Sequence, residues 1–228
     1  MKERPILFTG PMVRALLDGS KTQTRRVVKP QPDNGWGFDW TYGRITSPHP
    51  KRGKFGAFIR RGVGTDFPET DLIVCPHGMP GDRLWVREAW YCDDYRVQQG
   101  PYLLPPDQNA NDMREDGTLV YCADDPAPYE QEQPVWRPSI HMPRWASRIT
   151  LEITGVRVER LQDISRSDAI AEGAPPSHPS IDRVSRELGF AMDFSRSWYG
   201  QLWEQINGPN SWAANPWVFV IEFKVIEK

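Results

Sequence analysis

Hydrophobic positions along the chain repeat with the periods of helices and strands, and these periods predict most of its elements. Apolar residues in 12–17 lie at helical spacing between Gly10-Pro11, a typical helix start, and Gly19, a typical stop. The same period predicts helices over residues 165–172, 180–188 and 194–206. Alternating or continuous apolar runs predict strands at residues 6–8, 84–86, 118–122, 148–158 and 217–226.

The order of these elements indicates the fold class. Residues 29–80 are rich in proline and glycine and show no sustained period, so we interpret them mainly as an irregular insertion. Residues 91–117 are also predicted to be mostly loop. Short strands outnumber helices and do not alternate with them regularly, which predicts an α+β fold built on a small barrel rather than a doubly wound sheet.

Composition limits the class of protein. The chain has 228 residues, of which 39% are hydrophobic and 25% charged, as in proteins with a packed core. No run approaches the length of a membrane-spanning helix, and the first residues do not resemble a secretory signal. Three cysteines, Cys75, Cys92 and Cys122, fit a reducing compartment. We therefore expect a cytoplasmic protein with no membrane partner.

Charge is unevenly distributed along the chain. Residues 1–64 carry 13 Lys and Arg against 4 Asp and Glu, although the net charge of the whole chain is -2. A basic first quarter attracts phosphate locally. The overall balance gives no support for tight non-specific binding to duplex nucleic acid.

The segment with the most chemistry is Gly19-Ser20-Lys21-Thr22-Gln23-Thr24-Arg25-Arg26. We expect it in a turn or a second short helix, where the spacing of Lys21 and Thr24 would put an amine and a hydroxyl on one face. Arg25 and Arg26 add positive charge beside them. The ordinary alternative is a solvated basic turn after a helix.

Four segments together resemble a known family. Gly19-x-Lys21-x-x-Thr24-x-Arg26 is similar to the signature motif of the ASCH domain, a member of the PUA-like superfamily. Residues 81–86, 161–172 and 219–224 resemble later strands and a helix of that family, in the same order. This chain is longer than the small members of the family, and in this it resembles ASCH proteins encoded by phages and prophages.

The resemblance implies a small PUA-like β-barrel flanked by helices. It implies one domain over residues 1–228, with long irregular insertions at about 28–80 and 91–147. Among the small members are bacterial N(4)-acetylcytidine amidohydrolases, whose motif assigns a general base to Lys21, a nucleophile to Thr24 and a proton donor to Glu172. No cofactor or metal is implied.

Four further residues are predicted to bind substrate. Arg25 and Arg26 adjoin the motif and would hold an oxyanion or phosphate. Arg87 and Glu88 end the strand predicted at residues 84–86, from which they would reach the same cleft.

The first functional hypothesis is therefore a metal-independent amidohydrolase acting on an N(4)-acylated cytosine nucleoside or a related modified pyrimidine. It requires that burial and cationic neighbours lower the pKa of Lys21 well below the ordinary lysine value of about 10.4. The alternative is a non-catalytic ASCH module that binds RNA or a modified base, in which Lys21 and Glu172 form only an ion pair. A ribonuclease using the same Lys and Arg cluster is a third possibility. The sequence leaves the oligomeric state open.

Aromatic and basic residues are interleaved in the first insertion. Trp36, Trp40 and Tyr42 precede a basic stretch and would stack on bases while the charges meet phosphate. The alternative is a loop folded onto the barrel by its aromatic residues. The basic residues of this stretch are Arg44, Lys51, Arg52, Lys54, Arg60 and Arg61.

The spacing of the cysteine and histidine residues does not match a typical zinc site. Cys75-Pro76-His77 is not a paired Cys-x-x-Cys motif, and Cys92, Cys122 and His141 lie far away in sequence. We therefore predict no metal.

Overall fold

The computed structural model describes residues 1–66, 68–100, 102–125, 135–189 and 193–227. Its strands are β1 (Glu3–Leu7), β2 (Gln23–Val27), β3 (Gly37–Arg44), β4 (Phe55–Arg61), β5 (Glu69–Val74), β6 (Arg83–Arg87), β7 (Trp90–Cys92), β8 (Leu119–Tyr121), β9 (Thr150–Arg160) and β10 (Trp217–Glu227). Its α-helices are α1 (Gly10–Leu17), α2 (Tyr95–Gln98), α3 (Ala110–Glu115), α4 (Arg166–Ala171), α5 (Pro179–Leu188) and α6 (Phe194–Asn207). Within these ranges no helix has the length and apolar character needed to cross a membrane.

The strands form three sheets. One has five strands in the order β1-β6-β9-β10-β2, the second has the order β3-β4-β5, and the third pairs β7 with β8. β1 and β6 are parallel, whereas β6 pairs with β9 and β10 with β2 in antiparallel fashion. This mixture confirms the predicted α+β class. The small PUA-like barrel stays a prediction, because the pairings between described residues form no closed ring.

The chain divides into two compact units, and β9 and β10 each run through both. The first unit holds residues up to Gly19, Arg83–Glu152 and the end of β10 from Lys224 onward. In it, the predicted insertion at 91–147 builds a hydrophobic cluster around the fully buried Trp90. The other buried members are Cys92, Val97, Met113, Leu119, Tyr121, Met142 and Ala146.

The second unit holds Ser20–Asp82 and Ile153–Phe223. Its core lies between α4, α6 and the strand β10. Gly200 of α6 allows a close approach, since a Cβ there would lie 3.3 Å from the ring of Trp212. The buried core residues are Leu161, Ile164, Ala169, Ala174, Tyr199, Trp203, Val218 and Val220.

The interpretation of residues 29–80 as mainly an irregular insertion is wrong. They contain β3, β4 and β5, an antiparallel sheet in which Ala57 and Ile59 of β4 are buried. The register between β3 and β4 shifts between Phe38 and Tyr42, so the period of alternation is broken there. A bulge of this kind hides a strand from a search for strict alternation.

The expectation of a turn or short helix for residues 21–26 is also wrong. Gln23–Val27 is the strand β2, and its Thr24 and Arg25 pair with Ile221 and Val220 of β10. The backbone ladder with β10 therefore overrides the local spacing that suggested a helix. The other predicted helices, α1, α4, α5 and α6, are confirmed.

We expect Gly56→Ala to destabilise the protein by roughly 2 kcal/mol or more, because overpacking in a fixed ladder is costly. A Cβ at this position would lie 2.0 Å from the backbone oxygen of Ile73, so β4 and β5 would have to separate. Urea unfolding measures the loss. Gly37→Ala is the control on the same sheet, since nothing lies within 4 Å of its added methyl group. Equal stabilities of the two variants would contradict this account.

Candidate active site

A buried ion pair between Lys21 and Glu172 lies at the centre of the candidate site. Lys21 Nζ donates to Glu172 Oε2 at 2.7 Å and to the Glu172 backbone oxygen at 2.8 Å. Lys21 is 1% exposed and Glu172 is 2% exposed. The family resemblance implies that these two residues belong to one site although they are 151 positions apart, and the structure shows that they are in contact.

Backbone contacts fix both members of this pair. Glu172 is the residue at which α4 ends, after a start where the Ser165 side chain accepts from the Asp168 amide, as its sequence predicts. The Thr22 amide donates to the Ala171 oxygen at 2.8 Å, and the Phe223 amide donates to the Thr22 oxygen at 2.9 Å. The segment before β2 is thus held between the end of α4 and the strand β10.

Arg25 contacts the other carboxylate oxygen of Glu172. Its Nη1 donates to Glu172 Oε1 at 3.1 Å, and its Nε donates to Glu159 Oε1 at 2.9 Å. Asp168 lies 3.4 Å from the same guanidinium. The buried arginine therefore links three carboxylates, and one of them, Glu172, also binds Lys21.

Tyr199 and Gln23 complete the surroundings. The Tyr199 hydroxyl lies 3.5 Å from Glu172 Oε1, and Gln23 Nε2 donates to the Asp168 backbone and carboxylate oxygens at 2.8 and 3.0 Å. Sequence reasoning missed Gln23, Glu159, Asp168 and Tyr199 as members of this cluster. Gln23 could have been identified, since it lies inside the motif. Tyr199 could not, because it lies in α6 among the apolar residues that predict this helix.

Strand geometry separates the motif residues into two sets. Gln23 and Arg25 both contact Asp168, so they share one face of β2, and alternation puts Thr24 and Arg26 on the other. Thr24 is 2% exposed and pairs with Ile221, whereas Arg26 is half-buried. Because Gln23–Val27 is a strand, Lys21 and Thr24 do not share the helical face that was predicted for them.

Burial controls the protonation of the basic groups. It lowers the pKa of Lys21, and this effect outweighs the opposing attraction of Glu172. Arg25 and Arg26 lower the Lys21 pKa further by repulsion. Burial also opposes the charge on Arg25, but Glu172 and Glu159 outweigh it and raise the pKa of that guanidinium. The site thus combines a lysine that loses its proton more easily than usual with an arginine that keeps its charge.

Arg87 and Glu88 lie in the first compact unit, each with partners there. Arg87 Nη1 donates to the Ile140 oxygen at 3.1 Å. Glu88 is 1% exposed and receives two hydrogen bonds of 3.0 Å from Arg148, while burial raises its pKa. Their role in binding substrate stays a prediction.

The cysteines are free thiols. Cys75 and Cys92 are buried, and Cys122 is exposed. Across the ranges that the structure describes, no group of three or more His, Cys, Asp and Glu side chains is arranged to hold a metal ion.

Comparison of the chain with protein-family models, with curated proteins and with solved structures finds no match. The family resemblance therefore rests on the motif residues themselves.

We expect the wild type to gain stability relative to Lys21→Met as the pH rises over a window that ends at the ordinary lysine pKa of 10.5. The folded protein holds the Lys21 proton less tightly than the unfolded chain, whose lysine has its ordinary pKa of 10.5. The unfolded state therefore binds more protons in this window, and the free energy of unfolding rises with pH. Urea unfolding of both proteins measures the difference, in which groups that have no interaction with Lys21 cancel. A difference that stays flat or falls would contradict the lowered pKa of Lys21.

Proposed function

We propose that this protein is a metal-independent amidohydrolase that removes the acyl group from an N(4)-acylated cytosine nucleoside or a related modified pyrimidine. The observation that carries the proposal is the buried Lys21–Glu172 pair, with 2.7 Å between Nζ and Oε2. The ASCH resemblance supplies the substrate class. A small PUA-like barrel, with residues 1–228 as one domain, belongs to the same proposal.

A buried Lys–Glu pair can supply both a base and an acid. Burial already removes water from the charged pair, and a proton moved from Lys21 to Glu172 leaves two neutral groups. The neutral amine then accepts a proton, and the neutral carboxyl group donates one. The lowered pKa of Lys21 favours this exchange.

The proposed reaction begins with attack of the Thr24 hydroxyl oxygen on the acyl carbonyl carbon, as Lys21 accepts the hydroxyl proton. The carbon–nitrogen bond breaks, and Glu172 protonates the departing cytosine amine. Water then hydrolyses the acyl-threonine ester and restores the enzyme. In the proposed complex one water links the Thr24 hydroxyl to Lys21, and such contacts often tighten only when substrate is bound.

The two arginines have different proposed tasks. Arg25 is held by Glu159 and Asp168 and keeps the Glu172 carboxylate in place. Arg26 shares its face of β2 with Thr24, so its guanidinium is the one proposed to stabilise the oxyanion that forms at the attacked carbonyl.

A specific observation also supports a second function, a module that binds RNA or a modified base without turnover. Lys21, Arg25 and Glu172 already compensate one another, and Thr24 is on the opposite face. A binding module needs no nucleophile at Thr24, and N(4)-acetylcytidine would then bind and dissociate unchanged.

We expect Thr24→Val to lower the hydrolysis of N(4)-acetylcytidine by roughly 10³-fold or more, because the variant keeps the shape but lacks the nucleophilic oxygen. Chromatography of cytidine release measures the rate. Thr24→Ser should keep part of the activity, and Thr22→Val is the control, since Thr22 is an exposed neighbour. Wild-type turnover by Thr24→Val would exclude Thr24 as nucleophile, and binding without turnover by the wild type would favour the second function.

A further inference from the structure

An exposed aromatic surface lies in the second unit, away from the motif in sequence. Trp40 is 60% exposed, and its ring centroid is 5.7 Å from that of Trp217. Phe38 packs against Trp217 at 4.9 Å, and the Arg160 guanidinium lies 4.4 Å from the Trp217 ring centroid. We call Phe38, Trp40, Trp217, Arg60 and Arg160 the Trp40 surface.

The backbone holds Trp40 in an uncommon conformation. Its φ is +63°, in the left-handed region that a bulky residue rarely adopts. Asp39 Oδ1 accepts from the Thr41 amide at 2.9 Å, and Asp39 Oδ2 lies 2.8 Å from Arg60 Nε. These contacts stabilise a strained residue whose ring is exposed, and strain of this kind is concentrated at binding sites.

Ion pairs neutralise part of the basic stretch that the sequence predicted to hold phosphate. Lys51 lies 2.7 Å from Asp71, Arg61 lies 2.7 Å from Glu69, and Arg60 lies 2.8 Å from Asp39. The side chain of Arg60 is nevertheless 53% exposed. The Arg61 guanidinium also lies 5.0 Å from the Trp36 ring centroid. This arrangement favours stacking by aromatic rings, assisted by a few arginines, over attraction by bare charge.

The strand β10 connects the Trp40 surface to the candidate active site. Trp217 begins β10, and Ile221, four residues later, pairs with Thr24. At the rise of a strand this is about 13 Å. A chain of a few nucleotides spans such a distance.

We propose that the Trp40 surface binds single-stranded RNA, with one base stacked on the exposed indole and phosphates beside Arg60 and Arg160. Exposed aromatic rings next to guanidinium groups suit this ligand, because every base offers a π-face and every linkage a negative charge. The choice of RNA rests on the proposed function, because its test substrate, N(4)-acetylcytidine, is a ribonucleoside. The acylated cytosine is then a residue of a polymer, and a neighbouring base occupies Trp40.

The test measures binding of a fluorescein-labelled single-stranded RNA of about ten nucleotides by fluorescence anisotropy, at about 0.1 M salt. Trp40→Asn removes the ring and keeps a residue that tolerates positive φ. We expect it to weaken binding about tenfold or more. Trp40→Phe should keep most of the affinity. Tyr95→Ala, at a tyrosine that is 68% exposed in the other unit, should bind like the wild type.

The outcomes separate this inference from the proposed function, because binding needs no turnover. Wild-type affinity of Trp40→Asn, or tighter binding of duplex RNA or of single-stranded DNA of the same sequence, would overturn the proposal. If Trp40→Asn loses RNA binding but hydrolyses free N(4)-acetylcytidine normally, both proposals stand. If RNA binding depends on Trp40 and no substrate is hydrolysed, the RNA surface stands and the hydrolase fails.

Discussion

The removal of the Lys21 amine and the Glu172 carboxylate from water is the constraint on which the second unit depends. An isolated buried charge is far too unfavourable to persist, so each group must be paired and hydrogen-bonded. Lys21 therefore has two acceptors on Glu172, and the second carboxylate oxygen accepts from Arg25. The charge of Arg25 in turn requires Glu159 and Asp168. The fold must bring β2, the end of α4 and β9 together to satisfy these needs.

Burial also determines how tightly the basic groups of this site hold their protons. A solvated Lys–Glu pair stays charged, whereas burial disfavours the charged form of each partner. Burial lowers the pKa of Lys21, and Arg25 remains charged because Glu172 and Glu159 raise its pKa. A purely structural Lys21–Glu172 pair would have the same geometry as a catalytic one. A measurement of substrate turnover is therefore needed to distinguish them.

Local signals in the sequence were sufficient for some parts of this account. The cap at Ser165 and the end of α4 at Glu172 follow from short-range chemistry, and the motif at Lys21 was visible as a charged cluster. The strand β2 was not predictable locally, because its conformation depends on pairing with β10. Glu159, a partner of Arg25, was missed for the same reason, since 134 positions separate the two residues.

Lys21 and Glu172 are in contact, whereas strand alternation puts Thr24 on the other face of β2 from Arg25, so the proposed role of Thr24 is the one most in need of a test. The most direct measurement is to quench the protein with acid during turnover of N(4)-acetylcytidine and to map acetyl groups on its peptides by mass spectrometry. The account predicts an acetyl ester on Thr24 that disappears when substrate is exhausted. Turnover with no acetylated peptide, or with the acetyl group on Lys21, would contradict it.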